Sequence, residues 1–155
     1  MPKLDLDTIE ATNATGYPQP FDEDVKGRHY RRLAPAAGLT KLGASYVELE
    51  PGAYSSQRHW HEGQDEMVVV LQGEAVLIED EGEFPVGPGD IIAWAAGVRN
   101  GHRLQNRSDR PFVYIAVSAG DREGDRGEYP DIDMVFTPDG YFRKDGTSYG
   151  AERAP

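Results

Sequence analysis

The sequence predicts an all-β protein, either a sandwich or a barrel, and two observations carry that prediction. The 155 residues include 18 glycines and 11 prolines, and so many turn formers favour short elements over long helices. Segments that alternate polar and apolar residues recur between turns about 8–12 residues apart, which is typical of half-buried strands. One domain fits this length, since domains commonly run to roughly 100–200 residues.

The predicted strands follow one another from residue 45 onwards. Residues 45–50 alternate polar and apolar side chains and end at the turn of Pro51 and Gly52. Further strands are expected at residues 56–61, 66–72, 74–79, 90–94, 102–106 and 112–118. We therefore predict a barrel core at residues 41–118.

The core is preceded by an arm at residues 1–40 and followed by a tail at residues 119–155. The arm is rich in proline and glycine and predicts at most one short strand. The tail holds more aromatic residues than disordered segments usually carry. We expect it to fold against the barrel or against a neighbouring subunit.

Composition excludes several classes of function. There are 16 basic and 27 acidic residues, a net charge of −11, which disfavours nucleic acid and anionic lipid as partners. The sequence contains no apolar run of about 18 residues, the length that a membrane span needs, and the N-terminal residues are charged where a signal peptide is apolar. We expect a soluble, cytoplasmic protein. Because cysteine is absent, any metal must be held by nitrogen and oxygen.

Two of the four histidines form a pair that suits metal binding. His59 and His61 are separated by one residue, so on a strand both imidazoles project from the same face. Glu66 begins the next predicted strand after an acidic loop at residues 62–65. If that strand returns antiparallel, its carboxylate lies beside the imidazoles. Two histidines and one carboxylate form a facial set of metal ligands with open positions.

Residues 52–73, which read GAYSSQRHWHEGQDEMVVVLQG, resemble the first signature of the cupin superfamily. In that signature a glycine precedes His-x-His, a glutamate follows, and a second glycine closes the strand. Six residues rather than the usual five separate Gly52 from His59. Residues 89–106, GDIIAWAAGVRNGHRLQN, resemble the second signature, with Ala95 in place of its proline and two extra residues between Gly97 and His102.

Two registers are open in the second signature. In one, Asn100 occupies the place of the histidine and the metal site is degenerate. In the other, the loop is two residues longer, and His102 with Asn106 restores the His-x-x-x-Asn ending. We favour the second, in which His102 shares its strand parity with Leu104 and Asn106 and faces inward.

The resemblance implies a set of four metal ligands: His59, His61, Glu66 and His102. Three imidazoles and a carboxylate suit iron, manganese, nickel, zinc or copper, and leave one or two positions for water or substrate. Asp65 is the rival carboxylate, but the six-residue spacing to Gly73 favours Glu66.

Weaker candidates surround these ligands. The residues predicted to bind substrate are Gln57, Tyr54, Tyr46, Trp94 and Tyr114. Strand alternation places Arg58 on the face opposite the ligands, where we expect a surface side chain. Glu48 and Tyr54 are the candidates for a general acid or base, and no catalytic residue is assigned.

The resemblance is to small single-domain bacterial cupins and implies an antiparallel double-stranded β-helix, or jelly-roll barrel. It implies a metal-binding protein that acts on an oxygen-bearing small molecule as an isomerase, lyase or dioxygenase. The alternative is a non-catalytic module that binds a sugar or a small organic acid, since this fold does not determine function. Pairing through sheet edges leads us to expect a homodimer.

Overall fold

The computed structural model describes residues 3–150. These residues form twelve strands, one short helix at Leu33–Ala36 and 3-10 turns at Leu6–Thr8 and Glu23–Val25. The strands are β1 (Arg28–Arg32), β2 (Gly43–Leu49), β3 (Trp60–His61), β4 (Gln64–Gln72), β5 (Ala75–Glu79), β6 (Gly82–Val86), β7 (Ile91–Trp94), β8 (Arg103–Gln105), β9 (Phe112–Gly120), β10 (Gly127–Tyr129), β11 (Met134–Thr137) and β12 (Gly140–Phe142).

The strands form three antiparallel sheets. The orders are β1-β2-β9-β4-β7, β12-β11-β10-β3 and β6-β5-β8. All seven predicted strand segments overlap an observed strand, so the predicted all-β class is confirmed, and the jelly-roll barrel with it. The segment at 56–61 is shorter than predicted, because only Trp60–His61 pairs as a strand.

Alternate side chains of the five-stranded and three-stranded sheets build the main core. Its buried residues are Val47, Leu49, Ala53, Val68, Val70, Ala75, Leu77, Val86, Leu104, Phe112 and Tyr114. Alternate residues at the end of β2, Val47 and Leu49, and in the middle of β4, Val68 and Val70, lie in this cluster, as expected of half-buried strands. Burial of these apolar side chains is the main stabilising term for the barrel.

The arm and the tail pack together over the end of the barrel. The tail strands bury Tyr129, Met134, Phe136 and Tyr141, and the arm residues Tyr17 and Phe21 pack against that cluster. Through β10, which pairs with β3, the tail also joins the strand that carries His61. The predicted fold of the tail against the barrel is confirmed for residues up to 150, whereas residues 151–155 lie outside the described part of the chain.

The pairing of β10 with β3 requires a glycine. Gly127 lies opposite His61, and a Cβ atom at this position would be 2.0 Å from the carbonyl oxygen of Trp60 and 2.5 Å from the ring of Phe136. Any side chain would therefore separate the two strands or displace the ring. Glycine is the residue that allows this close backbone approach.

The arm takes part in the main sheet. β1, inside the predicted arm, pairs antiparallel with β2 along its whole length. Across residues 3–150, none of the helices reaches the length and apolar character that crossing a membrane demands.

Candidate metal centre

The paired histidines lie in and just before β3, the strand that pairs with β10 of the tail. His59 and His61 project from one face of this segment, as their spacing predicts, and the Nε2 atoms of their rings are 3.0 Å apart. The backbone of His59 is bridged to that of His102, which brings the third histidine to the same place. The ring of His102 has its centroid 5.2 Å from that of His59.

Glu66 reaches the histidines from another sheet. Its Oε1 atom is 3.4 Å from Nε2 of His61, and its Oε2 atom is 2.8 Å from Nε2 of His102. The expected antiparallel return beside the histidine strand is wrong, because β4 pairs with β7 and β9 while β3 pairs with β10. The carboxylate meets the imidazoles across the barrel, since inward side chains of different sheets converge there.

Two of the three imidazoles are held by backbone carbonyl groups behind them. Nδ1 of His59 lies 2.8 Å from the carbonyl oxygen of Gln57, and Nδ1 of His102 lies 3.1 Å from that of Asn100. A carbonyl oxygen only accepts, so each Nδ1 carries its proton and donates. Nε2 is therefore the nitrogen of each ring that is left to bind a metal.

The third imidazole is oriented by a carboxylate. Nδ1 of His61 is 2.5 Å from Oδ2 of Asp125, whose side chain is fully buried. Asp125 also accepts hydrogen bonds from the backbone N–H of Gly63 at 2.9 Å and from the amide of Gln64 at 2.8 Å. A carboxylate or carbonyl behind each imidazole is the arrangement that orients histidines toward a metal.

The residues present fit a divalent transition metal. Ligand atoms of His59, His61 and Glu66 all lie within 4.8 Å of one another. Nε2 of His102 extends this group through its contact with Glu66. Two Nε2 atoms at 3.0 Å repel each other unless a proton or a cation lies between them. Nitrogen and oxygen donors in this proportion suit zinc, iron, manganese, nickel or copper.

The two paired histidines differ widely in pKa. Burial and then the positive charge of His61 lower the pKa of His59 to about 3. Burial also acts to lower the pKa of His61, but hydrogen bonds to Asp125 and Glu66 outweigh it and raise the pKa to about 9. Without a metal at neutral pH, His61 therefore holds a proton between two carboxylates, and His59 stays neutral.

The two carboxylates remain ionised beside that proton. Burial acts to raise the pKa of Glu66, but hydrogen bonds with His102 and His61 hold it well below its ordinary value. Burial acts in the same direction on Asp125, and its bonds to His61 and Gln64 again lower the pKa. A cation of charge two would replace the proton on His61 between these two negative groups.

The structure places His102, not Asn100, among the candidate ligands. His102 is buried and its ring stacks on Trp94, with centroids 3.8 Å apart and planes inclined by 7°. The side chain of Asn100 lies outside the site, where its Oδ1 accepts a hydrogen bond from the backbone of Asp80. The rival carboxylate Asp65 is also outside, since it accepts from the backbone of Ala96.

The ligand group lies on the wall of an open cavity of about 800 Å³. Of the predicted substrate-binding residues, Trp94 and Tyr114 line this cavity. Tyr46 does not, because Ser45 and Val47 on either side of it in β2 face the cavity. Tyr54 packs against Arg103 instead, with the guanidinium 4.1 Å from its ring centroid.

Two other candidates also have structural partners away from the cavity. The buried amide of Gln57 donates to the carbonyl oxygen of Phe21 and to Asp24, so it ties the arm to the barrel. Glu48, proposed as a general acid or base, lies on β2 in register with His29 of β1 and is not among the cavity residues.

Arg58 lies on the face opposite the ligands, as strand alternation predicts, but it is not a free surface side chain. Its exposed fraction is 13%, and it forms a bidentate pair with Asp131 and a second ion pair with Asp80. It also donates to the carbonyl oxygen of Gly101. Arg58 therefore joins the tail to the loop that precedes His102.

Sequence reasoning missed the groups that the tail and the arm bring to the site. Asp125 is separated from His61 by more than 60 residues, and no local pattern marks it. The rings of Tyr129 and Phe136 contact His59, with centroids at 5.6 and 6.4 Å. Only the aromatic content of the tail indicated that it would pack against the barrel.

Comparison with known proteins agrees with this architecture. A family model described as the cupin domain matches residues 45–118. The chain is similar to a sugar phosphate isomerase of a cupin superfamily from Silicibacter pomeroyi, at 42% identity over 94% of each chain and a TM-score of 0.88.

Two further structures share the fold at lower identity. A putative sugar phosphate isomerase from Acidithiobacillus ferrooxidans is 24% identical over 74% of each chain, with a TM-score of 0.67. A predicted oxalate decarboxylase from Thermotoga maritima is 20% identical over 76% of this chain and 98% of its own, with a TM-score of 0.61. The comparison with curated proteins found no match. The chain belongs to the cupin superfamily.

Proposed function

We propose that this chain is a metal-dependent isomerase that acts on a sugar phosphate. The observation that carries the proposal is the convergence of His59, His61 and Glu66 on the wall of a cavity large enough for a small molecule. The relative from Silicibacter pomeroyi, which is called a sugar phosphate isomerase and shares 42% of its residues, supports this reaction class.

His59, His61, Glu66 and His102 would hold the metal in this proposal. A divalent metal supplies Lewis acidity, which polarises the carbonyl and hydroxyl oxygens of a sugar. The contacts behind the imidazoles keep each Nε2 directed at the site before any ligand arrives. The stacked ring of Trp94 restricts rotation of His102. The ligand atoms are thus preorganised by the protein.

Tyrosine hydroxyls complete the inner wall of the cavity. Tyr17, Tyr114 and Tyr129 line it, and burial raises the pKa of each. They therefore keep their protons at neutral pH and serve as hydrogen-bond donors to the oxygens of a polyhydroxyl substrate. The ring of Phe136 beside His61 contributes an apolar surface that excludes water from the same region.

An isomerisation between an aldose and a ketose moves one proton between neighbouring carbons and one between neighbouring oxygens, so it needs no second substrate. We would incubate the metal-loaded protein with aldose and ketose phosphates in D₂O and follow interconversion and deuterium uptake by NMR. We expect conversion that is abolished by a chelator and by His59→Ala. The matched control is Asn100→Ala, which should retain activity because that side chain lies outside the site.

The alternative is a non-catalytic module that binds a sugar or a small organic acid. One observation favours it: among the described residues that line the cavity, the carboxylates are Glu66, assigned as a ligand, and the exposed Glu123 at the rim. Within residues 3–150, no buried carboxylate other than Glu66 lines the cavity to act as a base. Tight binding of a sugar phosphate without interconversion or deuterium uptake would establish this alternative and contradict the isomerase.

We also propose a cytoplasmic homodimer. The edge strand β7 exposes Ile91, which is 67% accessible, and the neighbouring strand β4 exposes Met67, which is 38% accessible. An apolar patch on a sheet edge suits pairing with a second copy. Light scattering on the purified protein should give a dimer, and Ile91→Lys should give a monomer. A monomeric wild type would refute this arrangement.

A further inference from the structure

The lining of the cavity is rich in positively charged side chains. Four arginines line the cavity: Arg28, Arg32, Arg103 and Arg122. Within residues 3–150, no lysine lines it, and the lining carboxylates are Glu66 and Glu123. This concentration stands out because the chain as a whole has a net charge of −11. Arginine planes recognise carboxylates and phosphates through paired hydrogen bonds. The charge of the cavity therefore suits an anionic ligand even though the surface does not.

The arginines of β1 face the cavity by strand alternation. Arg28, Tyr30 and Arg32 line it, and the residues between them have partners elsewhere. His29 contacts Glu50 at 2.9 Å, and Arg31 donates to the carbonyl oxygen of Ile9. The first strand thus directs an Arg-Tyr-Arg row to the inside of the barrel.

This row is held in place before any ligand binds. Tyr30 donates its hydroxyl proton to the carbonyl oxygen of Ala14, and both guanidinium groups lie over its ring, 5.5 Å from the centroid for Arg28 and 6.0 Å for Arg32. Nη1 of Arg28 donates to the carbonyl oxygen of Ser55 at 2.7 Å. A fixed guanidinium loses less conformational entropy on binding an anion.

Arg28 also has a donor that is not used. Its Nε atom is buried and has no hydrogen-bond partner within residues 3–150. A buried donor without a partner is destabilising, and an oxygen acceptor entering the cavity would relieve that cost. Nε of Arg103, which also lines the cavity, is buried without a partner among the described residues as well, so both atoms mark positions where a ligand oxygen fits.

Arg28 and Glu66 of the candidate metal centre both lie close enough to the same two tyrosines to influence them. The charge of Arg28 and the charge of Glu66 both act on the hydroxyls of Tyr17 and Tyr114. Ser55, which Arg28 contacts, is hydrogen-bonded to Tyr114 and stands four residues before His59. One extended ligand can therefore meet Arg28 at one end and the metal centre at the other.

We propose that Arg28, braced by Tyr30 and assisted by Arg32, binds the phosphate group of the substrate, with the sugar directed toward His59, His61 and Glu66. This inference rests on the proposed function, because it assigns one end of the same substrate. It names a recognition site for a phosphate monoester that is separate from the metal ligands.

Binding of inorganic phosphate to the chelator-treated protein tests the site without metal or turnover. We expect saturable binding by calorimetry, weakened roughly 10- to 100-fold in Arg28→Met and unchanged in His59→Ala. The matched control is Arg110→Met, whose side chain is 86% exposed and which should bind like the wild type. Undetectable binding by the wild type at millimolar phosphate, or equal binding by Arg28→Met, would overturn the proposal.

Two further readouts separate failure of this site from failure of the proposed function. If the protein binds phosphate through Arg28 but isomerises no sugar phosphate, the site stands and the isomerase falls. If it isomerises a sugar phosphate, Arg28→Met should raise KM with a smaller effect on kcat; an unchanged KM would overturn the site alone. Should Arg28→Met not fold, Arg28→Lys keeps the charge and the stem, and should still bind several-fold more weakly because the paired geometry is lost.

Discussion

Asp125 connects the tail to the candidate metal centre, and replacing it by asparagine tests that connection in the metal-free protein. Its fully buried carboxylate accepts hydrogen bonds from His61, Gly63 and Gln64. Asparagine has nearly the same shape, but it carries no charge and has one acceptor oxygen instead of two. Asp125→Asn therefore leaves at least one buried donor without a partner and removes the counter-charge of the imidazolium.

The magnitude follows from these two losses. The pKa of His61 is raised from 6.5 to about 9, which corresponds to about 3 kcal/mol of stabilisation of the charged form. Asp125 and Glu66 both contribute to this stabilisation of the imidazolium, and we assign about 2 kcal/mol of it to Asp125. The orphaned donor adds about 1–2 kcal/mol that does not depend on pH. We expect a total destabilisation of about 3–4 kcal/mol near pH 6.

The sign of the pH dependence is also determined. A pKa raised on folding stabilises the protein fully below 6.5, and that part is lost as the pH rises through about 9. The pKa of Asp125 is lowered from 3.8, so its share is lost at the acidic end, as the pH falls through the folded-state value. The cost of Asp125→Asn should therefore be greatest between about pH 4 and 6.5 and fall to about 1–2 kcal/mol near pH 10.

Urea denaturation of chelator-treated wild type and Asp125→Asn at both pH values measures these free energies. Asp139→Asn is the matched control, because Asp139 is an exposed residue of the same tail; its cost should stay within about 0.5 kcal/mol. A cost of Asp125→Asn below about 1 kcal/mol near pH 6, or one that is the same near pH 10, would refute the reasoning.

Three further predictions concern the same region. Gly127→Ala should lower the thermal midpoint strongly, since the added Cβ would collide with the backbone of β3 and the ring of Phe136; an unchanged midpoint in differential scanning calorimetry would contradict the close approach. His102→Ala should weaken zinc binding at least about tenfold in a competition assay with a metal indicator, whereas Asn100→Ala should not; the reverse order would favour the register with Asn100. Zinc binding near neutral pH should release close to one proton, because the metal displaces the proton on His61; calorimetry in buffers of different ionisation enthalpy would show none if His61 were already neutral.

The barrel could be predicted from the sequence because its signals are local. Residues 45–50, 66–72 and 112–118 alternate or concentrate apolar side chains between turn formers, and each became a strand. The spacing of His59 and His61 likewise fixed their common face, because side chains two residues apart on a strand always share one. The resemblance to the second signature suggested His102, and the parity that it shares with Leu104 and Asn106 predicted its inward direction; all three are buried.

The remaining part of the site could not be predicted because it depends on contacts between distant segments. The tail strands β10–β12 are three or four residues long, too short for a periodic signal, and they form only by pairing with one another and with β3. Asp125 comes to His61 from that tail, and Arg28 comes to the cavity from the arm. The expected pairing of the Glu66 strand with the histidine strand was wrong for the same reason, since the pairing partner of β3 lies more than 60 residues further along the chain.

Metal content tests the central claim most directly. The protein is stripped with a chelator, offered manganese, iron, nickel, zinc or copper separately, desalted, and analysed for bound metal per chain alongside His61→Ala and the control Asn100→Ala. We expect close to one equivalent of at least one of these metals in the wild type and in Asn100→Ala, and a loss in His61→Ala. A wild type that retains none of the five metals, or His61→Ala with undiminished metal, would contradict it.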